Sequence, residues 1–360
     1  MQRLEKVIKC ESDWGLLKYL AGWQEVDVRI GGGVDRLGDL SPLSDVKDVA
    51  VISRGDITDL SALSSLTNVH KLSLKCYEAS DVSPLRSLTQ LTELDLSFMR
   101  GVTDISALRG MENLKSLSLS HSGVSDISVL SSLPKLEVLD LGYTGTTNFS
   151  ALHSLPNLTS IELGRTGIDN VDFLRQMPDL RFLNLHHTRV TNLDAVDSLS
   201  NLLDLNVNNT SVNDIGALQS LSHLAYLQLD DTMVSDVSPL SKVSDLSSLH
   251  LLRTNVSDVA PLSSLPELWY LDLGRTKVND VHALSSFRVL RFLNLSATGV
   301  TDVSALSALS TLEELYLYDT NVSDITALLD LPKLKWVHLA RSKVDPASIP
   351  ASRSRDFIFS

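Results

Sequence analysis

The chain has 360 residues, 43% of them apolar, and a formal charge of −13. This charge argues against a general nucleic-acid binder, which must neutralise phosphates with Lys and Arg, and against docking on an anionic membrane surface. The chain has two cysteines, Cys10 and Cys76, no signal-peptide run in its first residues and no stretch approaching the roughly 20 apolar residues of a membrane span. We therefore expect a cytoplasmic monomer, with the nucleus as an alternative, and a secreted protein only if an upstream signal is missing from this sequence.

Residues 1–22 precede any clear repeat. Leu4, Val7 and Ile8, and then Leu16, Leu17 and Leu20, have the spacing of helical segments with one apolar side. A stack of repeats needs its first unit covered, so we predict an N-terminal helical cap over residues 1–22.

Residues 23–344 are predicted to form a solenoid. In Leu268–Phe287 the apolar residues follow the order LxxLxL, a polar residue and a second apolar set, and the pattern recurs 22 residues later. The first of fourteen full units of 22 or 23 residues opens at Trp23. A truncated fifteenth unit opens at Leu334 and ends before Pro346. LxxLxL predicts a short strand with Leu271 and Leu273 inward and Tyr270 and Asp272 outward. Successive strands would form a parallel sheet on the concave face, and 3₁₀ or short α turns would lie on the convex face.

Two polar positions recur with the repeat, and we interpret both structurally. Asp or Asn precedes the second apolar set and is expected to cap the following turn, and Pro42, Pro84, Pro239 and Pro261 follow near the start of that turn. A threonine recurs every 22 residues from Thr144 to Thr320, at the end of the predicted strand of each of these units. There its hydroxyl can bond to backbone groups at the turn and bridge neighbouring turns.

Residues 345–360 are predicted to be a C-terminal capping tail. Phe357, Ile358 and Phe359 are apolar, and the last strand would otherwise leave an open edge. A lid on the final repeat is one interpretation, and a peptide motif for a partner is the other.

The segments DITDLSALSSLTNV and GVTDISALRGMENL resemble the 22-residue class of leucine-rich repeats. This class is shared by the leucine-rich regulatory subunit of protein phosphatase 1 and by bacterial internalins. The resemblance covers residues 23–344 and implies an α/β solenoid, a leucine-rich repeat horseshoe. Two departures are the threonines, where most such repeats have Asn or Cys, and the absence of a recognisable export signal or wall anchor.

The outward strand positions of the C-terminal half predict a partner-binding face. One column, read at intervals of 22, contains five aromatic residues in eight, an enrichment that the core does not explain. Exposed Tyr, Trp and Arg in one patch are typical of protein–protein hot spots. The alternative is that the rings only shield the sheet. The predicted contact residues are Phe182, His186, Tyr226, Asp230, Arg253, Tyr270, Arg275, Phe292, Tyr316, Tyr318 and Trp336.

The early concave face, with Ser116, Ser118, Gly142 and Ser160, is small and polar, so the partner is expected on the C-terminal half. His186, Asn208 and Asp230 on neighbouring units form a weak alternative as a metal site. No nucleophile motif or phosphate loop occurs, and we expect no cofactor and no catalysis. The predicted function is a protein–protein interaction scaffold or regulatory subunit. The alternative is an internalin-like recognition protein for a host surface or glycan.

Overall fold

The computed structural model describes residues 4–8, 11–20, 23–30, 34, 36–53, 57–350, 353 and 357–359. The chain divides into two compact units, Met1–Ile168 (unit 1) and Asp169–Ser360 (unit 2). Each unit alternates short β-strands with 3₁₀ helices, and all helices in the described residues are of the 3₁₀ type.

Unit 1 contains eight strands and seven 3₁₀ helices, η1 to η7, among its described residues. The strands are β1 (Leu4–Ile8), β2 (Glu25–Ile30), β3 (Asp48–Ser53), β4 (Lys71–Cys76), β5 (Glu93–Asp95), β6 (Ser116–Ser118), β7 (Val138–Asp140) and β8 (Ser160–Glu162). The helices are η1 (Glu11–Leu20), η2 (Ser41–Leu43), η3 (Ser61–Ser65), η4 (Ser83–Ser87), η5 (Ser106–Leu108), η6 (Ser128–Ser132) and η7 (Ser150–Ser154).

Unit 2 contains nine strands and nine 3₁₀ helices in the part that is described. The strands are β9 (Phe182–Asn184), β10 (Asp204–Asn206), β11 (Tyr226–Gln228), β12 (Ser248–His250), β13 (Tyr270–Asp272), β14 (Phe292–Asn294), β15 (Glu314–Tyr316), β16 (Trp336–His338) and β17 (Phe357–Ile358). The helices are η8 (Asp172–Gln176), η9 (Asp194–Ser198), η10 (Gly216–Ser220), η11 (Ser238–Lys242), η12 (Ala260–Ser264), η13 (His282–Ser286), η14 (Ser304–Ala308), η15 (Thr326–Leu328) and η16 (Pro346–Ser348).

Within each unit, consecutive strands pair in parallel and in register with the repeat. Leu271 pairs with Leu249 on one side and Leu293 on the other, and all three side chains are buried. The second apolar set of each repeat, carried by the segment through the 3₁₀ helix, packs behind the sheet; Val278, Val281 and Leu284 are buried in this way. The prediction of a leucine-rich repeat solenoid with parallel strands and short 3₁₀ turns is confirmed.

The N-terminal segment differs from the predicted helices in one respect. Leu4–Ile8 is a strand, and β1 pairs in parallel with β2 at the repeat spacing, Leu4 opposite Val26. Pairing with β2 outweighs the helical pattern because the β-branched Val7 and Ile8 favour extended backbone. The 3₁₀ helix η1 follows and buries Trp14, Leu17 and Leu20. The Trp14 ring lies so close to Gly38 that a Cβ there would approach it to 2.2 Å, so only glycine fits.

The recurring Asp and Asn side chains bond to the turn as predicted. Asp302 Oδ1, for example, accepts a hydrogen bond of 2.8 Å from the backbone N–H of Ser304, the first residue of η14. The same bond, from the N–H two residues on, is made by Asp81, Asp104, Asp126, Asn148, Asn170, Asn192, Asp214, Asp236, Asp258, Asp280 and Asp324. The four prolines lie at the first or second position of their 3₁₀ helices, where no N–H is needed.

The threonines are buried, but they bond inside their own repeat and do not bridge neighbouring turns. Thr210 Oγ1 donates to the carbonyl of Val207, three residues earlier, at 2.7 Å. The same bond is made by Thr144, Thr166, Thr188, Thr232, Thr254, Thr276, Thr298 and Thr320. Each hydroxyl therefore satisfies a carbonyl at the point where the chain leaves the strand.

The C-terminal segment pairs with the last repeat. β17 lies parallel to β16, with Phe357 opposite Val337, and the Leu339 N–H donates to the Ile358 carbonyl at 2.7 Å. The Phe357 side chain is buried. The guanidinium of Arg353 donates to the carbonyls of Leu329 and Leu334. These contacts are those that a lid on the final repeat requires.

Candidate functional site

The solvent-facing side of the β9–β16 strands is the sheet face of unit 2. Its column A consists of the first residue of each strand: Phe182, Asp204, Tyr226, Ser248, Tyr270, Phe292, Glu314 and Trp336. Its column B consists of the third residue of each strand: Asn184, Asn206, Gln228, His250, Asp272, Asn294, Tyr316 and His338. The strand pairing brings these residues side by side at intervals of about 4.8 Å.

Five rings from both columns form one continuous stack. The centroid of Tyr270 lies 4.5 Å from that of His250 and 4.3 Å from that of Phe292, and the Tyr270 and Phe292 planes are parallel within 4°. The Phe292 centroid is 5.3 Å from that of Tyr316, which lies 4.1 Å from that of His338. We call these five residues the ring stack. The predicted residues Tyr270, Phe292 and Tyr316 belong to it, whereas His250 and His338 were missed.

The ring stack is half-buried, and its ring faces are occupied by neighbouring rings. Burial raises the pKa of Tyr270 to about 12, so its hydroxyl remains a hydrogen-bond donor at neutral pH. The expectation that Tyr270 and Phe292 are largely solvent-facing is therefore wrong. Their stacking is worth roughly 0.5–1.5 kcal/mol per pair beyond burial, which makes these rings partly a shield of the sheet.

Other rings on the same face are the exposed ones. The exposed fractions of Phe182 and Tyr226 are both 47%, and that of Trp336 is 46%. Trp269, directly before β13, is 40% exposed and meets Tyr270 edge-on at 5.7 Å. Sequence reasoning missed Trp269 because it read one column at a time. These four side chains are the apolar groups that the face offers to solvent.

The predicted arginines follow the strands and differ in what they contact. Arg253 makes a two-pronged contact with Asp231, with Nε 2.7 Å from Oδ1 and Nη2 3.0 Å from Oδ2. The Arg341 guanidinium lies 5.4 Å from the centre of the half-buried Tyr318 ring. Arg275 is exposed. All three have left-handed backbone conformations, with φ between 56° and 60°, that glycine would adopt with less strain.

Polar residues of column B satisfy the backbone at the strand ends. Asn184 Oδ1 accepts from the His186 N–H at 3.0 Å, and Asp272 Oδ1 accepts from the Gly274 N–H at 2.8 Å. The same bond is made by Asn206 and Asn294. These acceptors recur every 22 residues, so the sequence carried a signal that we did not use.

Gln228 and His250 of column B do not accept this bond. At the ends of their strands, a side chain from the preceding repeat accepts the backbone N–H instead. Asn208 Oδ1 accepts from the Asp230 N–H at 2.6 Å, and Asp230 Oδ1 accepts from the Leu252 N–H at 2.7 Å. The bond to Leu252 holds the Asp230 carboxylate in a mostly buried position, where 19% of the side chain is exposed. Burial, the first cause, raises its pKa to about 6, and the nearby Asp272 and Asp231 add to the shift.

His250 lies beside Asp230, with Nδ1 4.0 Å from Oδ2. Distance alone would suggest an ion pair. However, burial lowers the pKa of His250, so the imidazole is neutral at neutral pH and the contact carries little ionic attraction. Asp230 thus has a structural role in addition to its predicted place at the binding face.

The metal alternative gains no support from the geometry. Among the described residues, no group of three or more His, Cys, Asp or Glu side chains could hold a metal ion. His186 Nδ1 lies 2.9 Å from Asn184 Oδ1, and the rings of His186 and His187 meet edge-on. Cys10 lies outside the described residues, and burial raises the pKa of the Cys76 thiol to about 12, so this thiol is unreactive at neutral pH.

Unit 1 carries a second aromatic row, which sequence reasoning missed. The His121 ring stacks between Phe98 at 4.6 Å and Tyr143 at 4.0 Å, and the Arg165 guanidinium lies 5.3 Å from the Tyr143 centroid. All four residues occupy the left-handed position after their strands. An open depression of about 590 Å³ adjoins Phe98 and is also lined by Tyr77, Glu78, Arg100 and Gly101. The early face is therefore not uniformly small and polar.

Comparison with known proteins agrees with this architecture. A family model for leucine-rich repeats, two copies, matches residues 112–155. An internalin from Listeria monocytogenes is 27% identical, with a TM-score of 0.67 and coverage of 84% of this chain and 83% of that chain. The chain is a leucine-rich repeat protein. Its assignment to the 22-residue class remains a prediction from the repeat length.

Two further structures share the fold of this leucine-rich repeat protein. A leucine-rich repeat protein from Leptospira interrogans is 18% identical, covers all of both chains and has a TM-score of 0.85. A plant peptide hormone receptor, RGFR1 in complex with RGF2, is 13% identical, with a TM-score of 0.65 and coverage of 100% of this chain and 68% of the receptor. No curated protein sequence matches this chain significantly. Among the described residues, no helix has the length and apolar character needed to cross a membrane.

Proposed function

We propose that this leucine-rich repeat protein is a non-catalytic scaffold or regulatory subunit that binds a partner protein on the sheet face of unit 2. The observation that carries the proposal is the exposure of Phe182, Tyr226, Trp269 and Trp336 on one face. Folding does not require large apolar side chains in solvent, whereas protein interfaces are enriched in Trp and Tyr that become buried on binding.

The polar surroundings of these rings suit binding better than catalysis. Asn184, Asn206 and Asp272 are engaged in bonds to the backbone at the strand ends, and Asp230 holds the neighbouring strand end. Groups tied into the framework in this way hold a rigid surface, which lowers the entropy that association costs.

The ring stack and the exposed rings have separate roles in this proposal. Tyr270 and Phe292 support the surface by stacking, while Phe182, Tyr226 and Trp336 contact the partner. Arg275 and Arg341 are exposed where the chain leaves its strands, and in this proposal they add charged contacts. His186, Arg253, Tyr316 and Tyr318 complete the predicted interface.

The test compares two variants of the full chain. The exposed-ring variant carries Phe182→Ser, Tyr226→Ser and Trp336→Ser, and the control variant carries Ser116→Ala and Ser160→Ala on the unit 1 face. A protein captured by wild type from native cells is identified, purified and titrated against all three chains. We expect the exposed-ring variant to fold normally and to bind at least about 100-fold more weakly, since such anchors contribute about 2 kcal/mol or more each. Equal affinity of wild type and the exposed-ring variant would contradict the proposal.

The second candidate function is recognition of a host surface or glycan. It is favoured by the similarity to an internalin and by the exposed face of the Trp336 side chain, which could stack on a sugar ring. A glycan array distinguishes the two functions. Saturable binding to one glycan class, lost with Trp336→Ser, would favour this second candidate.

A further inference from the structure

The polar members of column A interrupt the aromatic series at three strands of unit 2. Ser248 on β12 and Glu314 on β15 are two of these interruptions, and Asp204 on β10 is the third. At β12 and β15, column B supplies a ring in the same strand, His250 and Tyr316, and both rings belong to the ring stack. At β10, column B has Asn206, so no ring fills this position.

The unfilled position at Asp204 has aromatic residues on both sides. Register pairs Asp204 with Phe182 on β9 and with Tyr226 on β11. Both rings are nearly half exposed, and within the described residues no aromatic ring stacks on either. Two strand spacings separate Phe182 from Tyr226, about 9–10 Å between their backbones. Neighbouring rings of the ring stack lie 4.1 to 4.5 Å apart where they stack face to face, so the interval holds one further planar group.

The floor of this interval is the carboxylate of Asp204, for which the described residues supply no counter-charge. Asp204 is half-buried, and no side chain in the described part of the chain forms a hydrogen bond or an ion pair with it. The oxygens of two neighbouring amides bond to Asn208 instead: Asn206 Oδ1 accepts from the Asn208 N–H, and Gln228 Oε1 accepts from Asn208 Nδ2. Burial raises the pKa of Asp204, and among the residues that the structure describes no cation offsets this shift.

We propose that Phe182, Asp204 and Tyr226 form a slot that receives an arginine side chain of the partner protein. A guanidinium is planar, so it can enter between two rings, and its N–H groups can donate two parallel bonds to the carboxylate. The ring faces attract the same cation. A lysine ammonium matches the charge but not the planar interval. This inference rests on the proposed binding face and names the group that the partner contributes to it.

The slot is tested with a small probe that needs no knowledge of the partner. Nα-acetyl-arginine amide is titrated into ¹⁵N-labelled full-length protein, and the amide chemical shifts of β9–β11 are followed. The neutral isostere Nα-acetyl-citrulline amide and Nα-acetyl-lysine amide are the matched comparisons. We expect saturable shifts confined to β9–β11, with at least about tenfold weaker binding of the citrulline and lysine compounds. Equal binding of the arginine and citrulline compounds would overturn the proposal, and equal binding of the lysine compound would overturn the guanidinium assignment.

Variants then locate the site. Asp204→Asn keeps the shape and removes the charge, and it should weaken the arginine compound at least about tenfold. Tyr226→Ser should weaken it several-fold, whereas Asp330→Asn, an exposed charge away from the sheet face, should leave it unchanged. Unchanged binding to Asp204→Asn overturns the proposal. The comparison with the citrulline compound uses wild type only, so it decides the matter even where a variant folds poorly.

This inference and the proposed function can fail independently. Once a partner is identified, its affinity for Asp204→Asn is compared with its affinity for the exposed-ring variant. Loss of binding with the exposed-ring variant and no change with Asp204→Asn would overturn the slot and leave the proposed face intact. Binding of the arginine compound at β9–β11, together with partner affinity that ignores the exposed rings, would show that the slot binds a guanidinium but overturn both its role in holding the partner and the proposed function.

Discussion

At the scale of single residues, the carboxylates of this protein have opposite pKa shifts according to where the repeat places them. Asp302 is exposed, and the backbone N–H of Ser304 lowers its pKa by bonding to the charged form. Asp230 also accepts a backbone N–H, but its burial outweighs that bond and raises the pKa to about 6. The same residue type therefore stabilises the fold when charged at one position and costs stability when charged at the other.

Asp230→Asn should stabilise the protein at pH 7.5 and have little effect near pH 4. An aspartate in the unfolded chain ionises near pH 3.9, whereas Asp230 in the fold ionises at about 6. A raised folded pKa means that its stability contribution is present below the unfolded pKa and is lost as the pH rises through the folded pKa. Asn keeps an oxygen for the Leu252 N–H. We expect a gain of about 1–2 kcal/mol at pH 7.5, less than the full shift implies because solvent screens the charge. Urea unfolding at both pH values measures it.

Asp302→Asn is the matched control, because its lowered pKa predicts the opposite sign. Compared with wild type, that variant should be less stable at pH 7.5, and the difference between the two chains should be smaller at pH 3. His250 titrates in wild type and in Asp230→Asn, and Asp272, Asp231 and Arg253 also face the site, so the comparison is made between the two chains at each pH. Lower stability of Asp230→Asn at pH 7.5 would mean that the charged bond to Leu252 outweighs the cost of burial.

At the scale of one repeat, stability depends on the inward leucines of the strand. Leu271→Ala removes a side chain that is fully buried and in register with Leu249 and Leu293. We expect a loss of about 2–5 kcal/mol, from lost apolar burial and the cavity left behind. Each repeat contacts its neighbours, so hydrogen exchange should rise most in β12–β14 and less with distance. Leu271→Met, which conserves volume, should cost less than about 1.5 kcal/mol. A loss of protection confined to the N-terminal strands would contradict this.

The repeat was predictable because its sequence pattern occurs in many units, whereas a structural feature whose pattern occurs only once in the chain was not. LxxLxL at intervals of 22 predicted the buried Leu271 and Leu273, and the Asp and Pro positions predicted the turns. Leu4–Ile8 is a single short segment whose apolar spacing suits helix or strand, and its pairing with β2 decided the outcome.

The candidate site was partly predictable for a related reason. A single column revealed Phe182, Tyr226 and Trp336 as outward rings. The ring stack passes from column B to column A and back. The part that His250 and His338 play in it could therefore be recognised only from the positions of the rings in the structure. The left-handed turns carry Phe98, His121 and Arg275 in place of the glycine that would have marked them.

At the scale of the whole molecule, a repeat protein depends on how its terminal repeats are covered. In unit 2 the last full strand, β16, would expose its N–H and C=O groups without β17. Leu334 and Val344 of the final repeat and Leu331 just before it are buried, and the tail contributes Phe357 to the same end of the core. Arg353 adds bonds to the carbonyls of Leu329 and Leu334, which lie at the exposed end of the stack.

Removal of residues 351–360 should therefore loosen the end of unit 2 and promote self-association. The Leu339 N–H loses its acceptor, and the burial provided by Phe357 is lost. Hydrogen exchange should rise most in β16, less in β15 and hardly at all near β9, because the loss passes from repeat to repeat. Size-exclusion chromatography at two concentrations should show association through the open edge.

Phe357→Ala should produce the same pattern in weaker form, and Lys343→Ala, which alters an exposed side chain of the final repeat, should not. Unchanged exchange in β15 and β16 after truncation would show that the tail is not a lid. That result would favour the alternative from the sequence, a peptide motif for a partner.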